Sequence, residues 1–122
     1  MANSDVRLAL FQDNNFSGRR ILFRRGGVAV RDVSVFNFND QLSSFRLRNT
    51  RNGRDVTLIL FADVNYSGDF RVYRGNQNVA SLNGFNDKMS SFILVGRRLT
   101  DAQINRIRNR RTPPTDILRI RP

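Results

Sequence analysis

One six-residue pattern occurs twice, and it limits what this chain can fold into more than any other feature. Asn39-Asp40-Gln41-Leu42-Ser43-Ser44 returns 47 residues later as Asn86-Asp87-Lys88-Met89-Ser90-Ser91. Each copy is flanked by phenylalanines, Phe38 and Phe45 in the first, Phe85 and Phe92 in the second. A second block, LFQDNNFSG at residues 10–18, returns as LFADVNYSG at residues 60–68, an offset of 50. Two different blocks that recur in one order mean that a unit of about 45 residues is duplicated. Repeat one runs over about residues 5–49 and repeat two over about 55–96.

Within each repeat the apolar pattern has the period of strands. DVRLALF (5–11) alternates, RRILFRR (19–25) follows a tight Asn/Asp/Gly connection, and VAVRDVSVF (28–36) is rich in β-branched residues. SSFRLRN (43–49) then sets Phe45 and Leu47 on one face and Arg46 and Arg48 on the other. The second repeat gives VTLILF (56–61), DFRVYR (69–74), a short apolar piece at Val79 to Leu82, and SSFILV (90–95). Asn, Asp and Gly tolerate the turn geometry that the hairpins need, and Gly18 is placed for a positive φ. Eight short strands in two equal units predict an all-β fold, two Greek key motifs forming one sandwich over residues 1–96.

Residues 97–122 differ in character. Thr100 with Gln103 three positions on is a capping box, and Leu99 with Ile104 is placed as the hydrophobic staple beside it. Ile107 continues the apolar stripe, and Pro113-Pro114 ends it, which predicts a short helix of two to three turns packed on the sandwich. DILRIRP after it is compatible with an extended strand or a loose end. This extension holds eight Arg against two Asp, so six of the eleven net positive charges sit there.

Composition removes most enzymology. The chain has no His, no Cys and no Glu, and Lys88 is its one lysine. General acids, bases and activated nucleophiles therefore reduce to Asp, Tyr and that lysine. No phosphate-binding glycine loop or Ser-His pairing is present. A catalytic role is not expected. No apolar run is long enough for a membrane-spanning helix. MANSDVR has neither a basic n-region nor an apolar h-region, so the expectation is a cytoplasmic protein.

The four half-motifs together resemble the βγ-crystallin family in its microbial, calcium-binding form. The family's unit opens with an aromatic hairpin, matched here by Phe11, Phe16 and Gly18 and by Phe61, Tyr66 and Gly68. It closes with an N/D-N/D-x-x-S/T-S loop, matched by Asn39 to Ser44 and Asn86 to Ser91. The resemblance covers about residues 5–96 and not the extension. It implies two Ca2+ sites, each built jointly by the two repeats. By that resemblance the second loop position lends a side-chain oxygen, the third its carbonyl, and the fifth a hydroxyl that reaches across to the other site. The residue after the first hairpin aromatic adds a carbonyl. The implied ligands are Gln12, Asp40, Gln41 and Ser43 from repeat one, and Ala62, Asp87, Lys88 and Ser90 from repeat two. At Lys88 only the carbonyl is needed. Calcium takes six to eight such hard oxygens, and a site with about one carboxylate should bind with Kd of roughly 10⁻⁶ to 10⁻³ M.

The expected function is thus a non-enzymatic calcium-binding domain whose ions stabilise the fold, in a structural, stress or calcium-buffering role. The alternative is an interaction module that binds a polyanion or an acidic partner through Arg106, Arg108, Arg110 and Arg111. The hairpin aromatics read as packing residues rather than a base-stacking platform, and Arg19, Arg20, Arg24 and Arg25 as solvated strand faces.

Overall fold

The computed structural model describes residues 6–23, 27–36, 42–51, 53–82, 85, 89–113 and 118–120. Two sheets form the body. The first has the order β2(Ser17–Phe23), β1(Val6–Asp13), β4(Ser44–Asn49), β7(Gln77–Val79). The second has the order β6(Ser67–Arg74), β5(Thr57–Asp63), β8(Ser91–Val95), β3(Gly27–Val30), β9(Leu118–Ile120).

The repeats are interlocked. Three strands of repeat one make most of the first sheet, but its third strand, β3, pairs antiparallel with β8 in the second, Val30 opposite Phe92. Repeat two returns the exchange: β7 pairs antiparallel with β4, Val79 opposite Phe45. This is the predicted all-β sandwich of two Greek keys, and its two halves cannot separate without breaking both sheets.

The alternation in β1 and β4 turns Leu8, Leu10, Phe45 and Leu47 inward, where they meet Leu58, Leu60, Phe92 and Leu94 of the second sheet, all at most 1% exposed. Edge-on ring pairs, Phe23 with Phe92 and Phe45 with Tyr73, tie the layers together. Burial of each such side chain stabilises by about 1.5–3 kcal/mol before chain entropy is counted.

The second sheet has a second buried face. Ala29, Ile59, Phe61, Ile93 and Val95 point away from the sandwich, and α1(Asp101–Arg110) covers them with Ile104 and Ile107, Leu99 closing the end. The capping box forms as expected: the Thr100 Oγ1 accepts from the Gln103 amide at 3.2 Å, and the Thr100 amide donates to Gln103 Oε1 at 2.8 Å. Buried Thr57 anchors the approach to the helix, its hydroxyl accepting from the Leu99 amide at 3.0 Å and donating to the Arg97 carbonyl at 2.9 Å. Arg74 adds a bond to the Leu99 carbonyl and an ion pair with Asp101. Beyond the helix, β9 pairs parallel with β3, so residues 118–120 are a strand of the second sheet.

Three expectations change. The third strand stops at Val30, and Val33–Phe36 is a 3-10 helix. There the Asp32 side chain accepts from the Ser34 amide at 2.9 Å, a local bond that competes with the ladder. The seventh strand is Gln77–Val79 rather than Val79 to Leu82. The Ala80 carbonyl and the Leu82 amide serve the other repeat instead, bonding to Asn15 and Ser43. The helix ends at Arg111, whose φ of 50° is left-handed and whose amide bonds to the Ile107 carbonyl, before the prolines are reached. No helix among the described residues is long and apolar enough to cross a membrane.

Candidate metal centre

Each Asn-Asp-x-x-Ser-Ser segment is held at its end by two serines with different tasks. The second of each pair is a backbone clamp. Ser44 Oγ donates to the Asp13 carbonyl at 2.6 Å and accepts from the Phe16 amide at 3.1 Å. Ser91 repeats this on Asp63 and Tyr66, at 2.6 and 3.0 Å. The clamped turns need it. Asn15 and Phe16, and likewise Asn65 and Tyr66, have φ between 57° and 59°, a left-handed region that costs an aromatic residue roughly 1 kcal/mol or more.

The first serine of each pair faces the hairpin. The Ser43 amide donates to the Phe11 carbonyl at 3.0 Å, and the Ser90 amide to the Phe61 carbonyl at 2.9 Å. Both serines are buried, at 5% and 7% exposure. Pairing of β1 with β4 ends at Phe11 opposite Ser44, and that of β5 with β8 at Phe61 opposite Ser91. Gln12 and Ala62 are the next residues along, at the register shift where β1 and β5 meet their hairpin partners. Gln12 is thus set beside Ser43, and Ala62 beside Ser90, by the same local geometry.

Each of these two corners is joined to the opposite repeat. The Ser43 carbonyl accepts from the Leu82 amide at 3.1 Å, and the Ser90 carbonyl from the Val33 amide at 2.9 Å. Leu82 lies shortly before the second Asn-Asp segment, and Val33 shortly before the first. The hairpin turns are crossed in the same way, the Asn15 amide on the Ala80 carbonyl and the Asn65 amide on the Arg31 carbonyl, both at 2.9 Å. The exchange of β3 and β7 between sheets produces these crossings.

Of the expected ligands, Gln12, Ser43, Ala62 and Ser90 are therefore brought together two by two, in equivalent surroundings. Asp40, Gln41, Asp87 and Lys88 lie outside the described residues. Among the described residues no three Asp side chains gather in one place.

Two functional positions were not legible from the loop motif alone. Leu42 and Met89, the fourth position of each segment, are fully buried in the inter-sheet core and pin the segments at that point. The signal available was their apolar character inside a polar run. All four arginines of the extension's cluster, Arg106, Arg108, Arg110 and Arg111, are exposed, and the Arg108 guanidinium lies 3.8 Å over the Phe70 ring. The hairpin aromatics pack edge-on, Phe11 with Phe16 and Phe61 with Tyr66, as expected of packing residues.

A scan of protein-family models and a search of curated proteins found no match. Solved structures do match. A βγ-crystallin from Ciona intestinalis is 22% identical, with a TM-score of 0.57, over 76% of this chain and 99% of that one. A βγ-crystallin domain from Clostridium beijerinckii is 19% identical, with a TM-score of 0.54, over 73% and 97%. A structure concerned with the evolution of the eye-lens βγ-crystallin domain fold is 26% identical, with a TM-score of 0.61, over 79% and 89%.

Proposed function

This chain has the βγ-crystallin domain fold, and from that premise we propose that it is a non-enzymatic calcium-binding domain whose two ions lock the repeats together. The supporting observation is the doubled corner: Gln12 with Ser43 and Ala62 with Ser90, each bonded to backbone just ahead of the other repeat's Asn-Asp segment. Such corners suit a hard cation. They offer carbonyl and hydroxyl oxygens, and the adjoining segments carry one Asp each, the donor types calcium takes.

On this reading each corner shares its ion with the Asn-Asp segment of the other repeat. One ion would be held by Gln12 and Ser43 with Asp87 and Lys88, the other by Ala62 and Ser90 with Asp40 and Gln41. Lys88 would serve through its carbonyl. A bound ion supplies no chemistry beyond charge and coordination. It ties a hairpin of one repeat to a loop of the other, which raises the cost of pulling the sheets apart. Because such an ion binds only the folded chain, it stabilises by RT ln(1 + [Ca2+]/Kd), about 2.7 kcal/mol per site at a hundredfold excess over Kd.

The test is a thermal melt in EDTA and in millimolar calcium, on the unaltered chain and on Asp40→Ala/Asp87→Ala. A calcium-dependent rise in Tm is expected, and the double variant should lose it. An unaltered chain whose Tm ignores calcium would end this reading and leave a scaffold without metal.

A further inference from the structure

We propose that the outer face of the first sheet is a docking surface for single-stranded nucleic acid, read through a row of arginines and one arginine-aromatic stack. The inference comes from comparing the two repeats with each other. Cross-strand partners share a face of a sheet. On the first sheet Arg7 pairs with Arg48, Ala9 with Arg46 and with Leu22, and Phe11 with Arg20, so these side chains stand on one surface. Leu8, Leu10, Phe45 and Leu47 occupy the opposite, inward face.

The equivalent surface of the second sheet is apolar. Where repeat one has Ala9, Arg46 and Arg48, repeat two has Ile59, Ile93 and Val95, and where repeat one has Arg20 and Leu22, repeat two has Phe70 and Val72. That surface is closed by α1 and the residues before it. The same duplicated sheet has therefore been given two outer faces, one apolar and covered, the other cationic and open. Arg20, Arg46 and Arg48 are exposed and Leu22 is 47% exposed; the Asp of these strand pairs, Asp13, lies at the hairpin end opposite Ser17. Arg7 stands directly opposite Arg48 across the strand pair, so the two cations share this face.

Three features of this face favour a single-stranded nucleic acid. Guanidinium groups grip phosphate as a planar fork, and all four cations are Arg rather than Lys. The Arg46 guanidinium lies 4.4 Å over the half-buried Phe16 ring, a contact that restrains it where a base can stack on it. A sheet face offers an open surface for unstacked bases but no ridge to enter a duplex groove. Leu22 alone is a thin apolar contribution for insertion into a lipid surface.

The experiment is fluorescence anisotropy of a labelled oligodeoxythymidine of about 15 nucleotides, titrated with the full-length chain in EDTA over a series of salt concentrations. The unaltered chain is expected to bind with a slope of log K against log salt near −2 to −3, about 0.7 for each phosphate met on a single strand. Arg46→Ala/Arg48→Ala should weaken binding at least about tenfold and reduce the slope by about 1.4. The charge-matched control Arg106→Ala/Arg110→Ala should stay within about threefold, since its effect is only through net charge. Arg46→Lys keeps the charge and loses the plane, so affinity should fall while the slope holds. Equal losses in the two double variants would mean attraction by net charge and overturn the proposal. So would no binding at low salt, or binding only to phosphatidylserine vesicles. The substituted side chains are exposed, and unchanged melts of the variants would exclude unfolding as the cause of a loss.

Discussion

Two adjacent serines close each loop motif, and the hydroxyl of the second is committed to the backbone of a hairpin turn. Ser44 and Ser91 each join an amide to a carbonyl within a turn that contains left-handed aromatic residues. Replacing either with Ala strands both backbone groups, so we expect a loss of about 1–3 kcal/mol in urea unfolding. The loss should be larger at Ser91, because the Tyr66 side of its bridge is buried while Phe16 is half-buried. On the proposed calcium reading, Ser43→Ala and Ser90→Ala should remove most of the calcium-dependent rise in Tm. A Ser43→Ala variant with an undiminished calcium response would exclude its hydroxyl as a ligand. The motif itself was plain in the sequence. The clamps made by Ser44 and Ser91 were not, because each joins the serine to a turn more than twenty residues earlier in the chain.

At the scale of elements, the helix is a cover with a seam. Ile104, 3% exposed, and Ile107, 7% exposed, sit on Ile59, Ile93 and Val95. Ile104→Ala should cost about 2–4 kcal/mol by chemical denaturation, the range for a buried aliphatic cut to Ala. A loss under about 0.5 kcal/mol would mean that the helix rides loosely on the sheet. Its start was legible to the residue, since capping is local: Thr100 and Gln103 bond across three positions, and no distant group takes part. The strand boundaries that moved were those whose backbone groups are spent elsewhere. Val33 gives its amide to Ser90 and Leu82 its amide to Ser43, so neither belongs to a ladder. Nothing within a few residues of either announces that.

At the scale of the whole molecule, the extension completes the domain. Without residues 97–122 the outer face of the second sheet would expose Ala29, Ile59, Phe61, Ile93 and Val95 together, and β3 would become an open edge. Open edges and contiguous apolar patches invite association. A chain ending at Gly96 should therefore run above monomer mass in size-exclusion chromatography with light scattering, and melt earlier than the full chain. A stable monomer with an unchanged Tm would show that the two repeats suffice. The contrast was written in the sequence as SFRLR against SFILV. The first alternates and the second does not, and an unbroken apolar strand is one buried on both sides. It shows that β8 is covered without saying by what.

By itself the sequence determined the duplication, the eight strands of the sandwich, the hairpin turns, the helix cap and the resemblance carried by the paired loops. Each depends on interactions within a few residues, or on a pattern repeated whole. The tertiary structure decided the exchange of β3 and β7, the seat of α1, the parallel addition of β9, and the joining of Gln12 with Ser43 and Ala62 with Ser90. These depend on pairings between residues far apart in the chain. A period of two reveals which side of a strand is buried, but the partner that buries it is chosen by the packing of the whole molecule.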